Sequence, residues 1–213
     1  MKSTENSETR DKIIQVAKKE FIEQGYMKAS LRQICKKAGV TTGALYFFFK
    51  DKDDLFCTVV QAPLQALYST MMDHYTIEKE IDEKEILETL SKDIISSEDK
   101  KTMDKIIHIM YENRELILLI LTGAQGSSLE NVIDKFINAS ENQYKLMCEK
   151  MKKLYPDAKV SPHISHWFAH DQINALVYTI THIDSEKEAM EFNNNMVAYL
   201  MGGWHSVWKT EVE

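Results

Sequence analysis

The sequence predicts an all-α protein of about nine helices, and three observations carry that prediction. Apolar residues recur at i, i+3, i+4 and i+7 in one segment after another. No segment alternates convincingly as a strand. Only seven Gly and three Pro interrupt 213 residues, which favours long helices over many short elements.

The first helix is predicted from about Thr9 to Gln24. Ile13, Ile14, Ala17 and Phe21 form its buried stripe, and Gly25 ends it. The second follows Ser30, a good N-cap, with Gln33 three residues on as a capping box. Leu31, Ile34, Cys35 and Ala38 give it one apolar stripe, and Gly39 supplies the left-handed exit. Thr41 caps a third helix after a very tight turn. Leu45 and Phe49 should face the core, which leaves Phe47 and Phe48 outward. Asp51 caps a fourth helix, with Asp53 and Asp54 in its first turn, where the helix dipole favours acids. That helix continues through Leu55, Val59, Leu64, Leu67 and Met71, and Pro63 is expected to kink it. Further helices are expected at 83–96, 100–112, 114–121, 127–154, 161–183 and 185–208. Gly123, Gly126 and Pro156 break the chain, and Pro162 suits a first turn.

Residues 30–55 therefore read as a helix-turn-helix that runs directly into a further helix. A short helix presented beside a basic partner helix is how proteins enter the DNA major groove. The net charge of −7 argues against nucleic acid, but its distribution does not. Residues 1–52 hold 11 Lys and Arg against 6 Asp and Glu, whereas the rest hold 15 against 27. A basic head on an acidic body can neutralise phosphates locally. Lys28, Arg32, Lys36 and Lys37 give the head its positive field.

Two domains are expected: a DNA-binding head over 8–54, and a body over 55–213. The longest apolar run, 116–121, is far below the ~18 residues a membrane span needs. The polar start, MKSTENSETRDK, resembles neither a signal peptide nor an anchor, so a cytoplasmic location with no membrane partner is expected. Cys35, Cys57 and Cys148 are scattered, with no CxxC, and read as small buried hydrophobes kept reduced. No GxSxG, P-loop, HExxH or dinucleotide fingerprint is present, so no catalytic residue and no cofactor is assigned. His163, His166 and His170, at i, i+3 and i+7 beside Asp171, have a spacing that can hold zinc or nickel. Polar roles at a dimer seam or pocket mouth fit them better, and no metal is assigned.

Thr9, Ile14, Ala17, Phe21, Gly25, Ser30, Leu31, Ile34, Ala38-Gly39-Val40, Gly43, Leu45-Tyr46, Phe49, Lys52 and Leu55 form a pattern with fixed spacing across three helices. On these residues, 9–55 resemble the N-terminal domain of TetR-family (tetracycline-repressor-like) transcriptional regulators. The resemblance implies a homodimer whose two heads bind a palindromic operator, and a small ligand in the body that releases the DNA. It implies DNA contacts by Ser30, Arg32, Thr41, Thr42, Gly43, Tyr46, Phe47 and Lys52, with Tyr46 and Lys52 on phosphate. The family often has histidine or another polar residue where Phe48 stands, so that donor is missing here. Phe47 is expected to pack on thymine methyls or sugars.

The helices that line the family's pocket carry Tyr68, Met72, Met103, Ile107, Met110, Tyr111, Phe136, Tyr144, Met147, Trp167, Phe168 and Tyr178. Such a lining implies a hydrophobic ligand. The last two helices are the expected dimer seam, with His170, Asn174, Val197, Met201, Gly202, Trp204 and His205 as its residues. Two other readings stay open: a DNA-binding protein whose body binds another protein, and a helical metal-binding protein.

Overall fold

The computed structural model describes residues 2–92 and 97–209, with side chains from residue 6 and none over 89–96. Ten α-helices and no strand occur among the described residues. They are α1 Lys2–Lys28, α2 Leu31–Ala38, α3 Thr42–Phe48, α4 Lys52–Glu80, α5 Glu83–Lys92, α6 Ser97–Glu112, α7 Arg114–Gly123, α8 Val132–Leu154, α9 Ile164–His182 and α10 Glu186–Lys209. The chain forms two compact units, one of residues 1–65 with 113–132, the other of 66–112 with 133–213. The helix-turn-helix segment lies in the first unit, which also takes in α7.

In the first unit, the stripes read from the sequence close on one another. Ile13, Ala17, Phe21, Ile34, Ala38, Leu45, Phe49, Leu55 and Phe56 are almost completely buried. Phe56 sits edge-on to Phe21 at 5.0 Å. Gly25 breaks α1 at φ 68°, ψ 169°, a conformation that L side chains avoid. α1 packs on α7 at this point, since a Cβ built on Gly123 would lie 3.4 Å from Gly25 Cα. Gly39 takes the left-handed conformation that ends α2, and its successor's N–H (Val40) donates to Cys35 O at 3.0 Å. Asp51 caps α4 by accepting from Asp54 N at 2.8 Å, while Asp54 accepts from Lys50 N at 2.9 Å.

Several expected boundaries shift. α1 starts well before Thr9. Residues 127–131 form turns, and α8 begins at Val132. Ser127 is held there by its hydroxyl, which donates to Ala124 O at 2.6 Å, so this serine stabilises a turn instead of opening a helix. Pro162 lies two residues ahead of α9. α4 continues as one helix through Pro63. α6 begins at Ser97, and the expected helix over 93–96 lies outside the described residues.

The core of the second unit holds Ile86, Met151, Phe168, Trp204 and Trp208, with Ile137, Ala169 and Ile173 as a second cluster. Tyr144 and Phe168 pack around Trp204, with ring centres 5.1–5.7 Å apart. Lys150 caps the end of α4 by donating to the carbonyls of Glu78, Lys79 and Ile81.

Candidate nucleic-acid interface

The first unit presents α3 outward. Thr41 accepts from Ala44 N at 3.1 Å and caps the helix. Thr41, Thr42 and Gly43 are all exposed. Tyr46 is 53% and Phe47 72% exposed, while Leu45 and Phe49 are buried beneath them. This exposed aromatic pair on a seven-residue helix is the candidate contact surface. Phe48 departs from expectation: it is half-buried, with Phe47 edge-on at 4.9 Å. The Phe48 ring centre also lies 6.4 Å from that of Phe49, and of Phe47 and Phe48 it is Phe47 that is exposed.

Ser30 accepts from Gln33 N at 3.5 Å, which is half of the expected capping box. The other half comes from α1. Buried Glu20 accepts from Ser30 N at 3.4 Å and from Lys37 Nζ at 2.7 Å. The Glu20 hydrogen bond, with the charge of Glu23 added, raises the Lys37 pKa. Lys37 is therefore paired, and Arg32 and Lys36 carry the exposed charge of α2. Glu20 falls at i+3 from Ala17, inside the buried register of α1. An acid in that register was the signal that could have found it.

Lys52 is half-buried. Its Nζ donates to Met27 O at 3.2 Å and lies 4.7 Å from the Tyr26 ring centre. Burial lowers its pKa. Its ammonium ties α4 to the end of α1, and a phosphate would have to share it. Asp53 accepts from Ser128 N at 2.9 Å and so anchors the turn after α7.

In the second unit, residues of α4, α5, α6, α8, α9 and α10 line a partly open cavity of about 380 Å3. Of the expected ligand residues, Tyr144 and Met147 line it, and Met103 joins Tyr144 on an adjoining recess of about 140 Å3. The others lie elsewhere. Ile107, Met110 and Phe168 are core residues. Tyr111 donates to Ile183 O at 2.8 Å. Tyr68 packs edge-on against Phe136, with Lys135 over its ring. Met72, Trp167 and Tyr178 face outward.

The sequence reasoning missed the polar part of the lining: His74, Glu78, Asp99, Gln143 and Gln172. Beside it, Tyr75 bonds Ser140, which donates to Gln172 Oε1 at 2.7 Å. Burial pushes the Tyr75 phenol up, so it stays protonated. His74 and Glu78 continue the Leu67, Met71 stripe of α4, so polar residues in a buried register were again the available signal.

The expected seam residues divide. Asn174 and Gly202 are exposed on α9 and α10, and a Cβ built on Gly202 would meet nothing beyond its own stretch of helix within 4 Å. Val197, Met201 and His205 line the cavity or its recess, and Trp204 is core. His170 is half-buried, its ring 4.4 Å from that of His166. His166 pairs with Glu141 at 2.8 Å, and His163 precedes α9 in solvent. These three histidines form no metal-ligating group among the described residues. The three cysteines are free, and burial raises the thiol pKa of Cys57 and Cys148, which lowers their reactivity.

Residues 13–58 match the model of the tetR family of bacterial regulatory proteins. The chain is 51% identical over 55 residues to the transcriptional regulator AcrR of Shigella flexneri, covering 26% of each chain. It is 43% identical over 56 residues to the transcriptional repressor BepR of Brucella suis, covering 26% of this chain and 27% of that one. These matches span about a quarter of each relative. A crystal structure from Syntrophomonas wolfei, assigned to the TetR-family transcriptional regulators, superposes over 98% of this chain and 100% of its own with a TM-score of 0.60 at 21% identity. That likeness concerns the fold alone. Residues 13–58 thus carry the head sequence of the tetR family of bacterial regulatory proteins, and the chain as a whole has the all-helical fold of this solved structure.

Proposed function

We propose that this protein is a homodimeric transcriptional repressor that holds a palindromic double-stranded DNA operator with α3 of each head and releases it on binding a small apolar ligand. The exposed face of α3, with Thr41, Thr42, Gly43, Tyr46 and Phe47 above the buried Leu45 and Phe49, is the observation that carries the reading. Hydroxyls and amides at the start of a helix suit phosphate oxygens, and an exposed aromatic ring suits thymine methyls or sugars. Ser30, Arg32 and Lys52 complete the proposed footprint.

Two observations support the rest. The cavity of about 380 Å3 has the size of a small-molecule site, and Tyr144, Met147 and Trp204 give one part of its wall apolar character. This favours an inducer over a protein partner as the regulator. On α9, Trp167, Asn174 and Tyr178 stand on one exposed stripe, and Tyr199 is exposed on α10. Large exposed aromatics on adjoining helices suit a second copy of the chain. Repression is the action that the name of BepR gives to that relative.

The test is fluorescence anisotropy of the purified protein on a genomic fragment selected by binding, against scrambled DNA, across a salt series. Tight, salt-dependent binding to the selected fragment alone, at one dimer per site, supports the reading. Equal affinity for both DNAs overturns it.

A further inference from the structure

His74, Glu78 and Asp99 meet at the wall of the cavity in the second unit. His74 and Glu78 share one face of α4 at i and i+4, and Asp99 stands in the first turn of α6. His74 Nε2 lies 3.4 Å from Glu78 Oε1 and 3.4 Å from Asp99 Oδ1. The three donor atoms are all within 4.8 Å of one another. Two ligands each about 2.1 Å from a zinc ion at the tetrahedral angle are about 3.4 Å apart. The two measured edges have that length, and small carboxylate rotations close the third.

We propose that His74, Glu78 and Asp99 bind a divalent metal ion of the zinc class, with its open coordination position facing the cavity. The donor chemistry fits: one imidazole and two carboxylates neutralise a dication, and the nitrogen selects zinc-class ions over magnesium or calcium. The surroundings are those of a positioned site. His74 Nδ1 lies 3.3 Å from Thr102 Oγ1, so a proton on Nδ1 points there and leaves the Nε2 lone pair aimed at the carboxylates. Gln143 Nε2 donates to Glu78 Oε2 at 2.9 Å and holds the carboxylate with its other oxygen toward His74. All three side chains are mostly shielded, and all three line the cavity. Three protein ligands leave a position for water or for an oxygen or nitrogen of a cavity-bound molecule. The proposal does not depend on the DNA-binding reading.

The test is a zinc titration of the full-length, chelator-stripped protein against a chromophoric competitor, with Co2+ spectroscopy for geometry. Wild-type protein should bind one equivalent per chain and give the visible bands of tetrahedral cobalt. Glu78→Gln, Asp99→Asn and His74→Gln should each weaken zinc at least about tenfold. His166→Gln should leave it unchanged. Zinc should raise the melting temperature of wild type and not of Asp99→Asn, which also reports whether each variant is folded. If His74→Gln fails to fold, the two carboxylate variants decide the matter. No stoichiometric binding, binding that survives Asp99→Asn and Glu78→Gln, or binding lost in His166→Gln would each overturn the site. A lipophilic organic cation taken up where zinc is not would overturn it too, and would assign the carboxylates to that cation.

Discussion

Tyr46 and Phe47 are exposed neighbours, yet they call for different chemistry. A phenol can donate to a phosphate on any DNA, whereas a phenyl ring senses only base or sugar surface. Tyr46→Phe should therefore weaken selected and scrambled DNA alike, by about 1 kcal/mol for one lost hydrogen bond. Phe47→Ala should weaken the selected DNA more than the scrambled. Anisotropy titrations on both DNAs check the pair, and equal losses for Phe47→Ala would exclude base readout. Glu20 is decided on stability instead. It is the buried acceptor for Ser30 N and Lys37, so Glu20→Ala should cost about 1–2 kcal/mol in denaturant melts. The lower end is expected, because the Lys37 side chain is half exposed.

Among the elements, α1 and α7 depend on two glycines for different reasons. Gly25 has a backbone conformation open essentially to glycine alone, although a Cβ there would meet only ordinary contacts. Gly25→Ala should cost about 1–3 kcal/mol from conformation. At Gly123 the backbone is helical, but a Cβ would lie 2.8 Å from Leu119 Cδ1, the movable end of a side chain. Gly123→Ala should therefore cost less, and thermal melts of the two variants check the order. The tie from α6 to α10 adds a pH dependence. His108 bonds Glu186 at 2.8 Å, and this bond, with the Glu112 charge, raises the imidazole pKa. A raised folded value means stability that is present below the ordinary histidine range and lost as pH rises through the folded pKa. His108→Ala should lower the melting temperature slightly at pH 5.5 and not at pH 8.5. The effect is small because the pair is exposed and solvent-screened.

For the whole molecule, the charge arrangement and the exposed aromatic face make the two largest claims. A basic head on a chain of net charge −7 predicts DNA affinity that falls steeply with salt, since counterions are released from a local patch. The α9 and α10 surface predicts self-association. Trp167→Glu with Tyr178→Glu should shift the protein from dimer to monomer by size-exclusion chromatography with light scattering. Both side chains are exposed, so the monomer should remain helical by circular dichroism. A dimer that persists in that double variant would move the seam elsewhere.

The head was legible from its residues because its information is local. Caps at Ser30, Thr41 and Asp51, the left-handed Gly39, and stripes spaced at helical period act within a few residues of themselves, and the structure has all of them. Helix existence in the body was legible for the same reason, through period alone. The ends were less so: residues 127–131 carry a helical pattern, but Ser127 and Gly126 hold turns. What only the tertiary structure decided is which of two meanings a residue takes when its partner is distant in sequence. Phe168 and Trp204 became core because each packs on the other across α9 and α10. Glu20 became the missing half of a cap on α2. His74 and Glu78 met Asp99 only because the start of α6 comes against α4, where Asp99 and Thr102 reach His74. Periodicity states which face of a helix is buried; it cannot state what that face is buried against, and the chemistry of a site lies in that second fact.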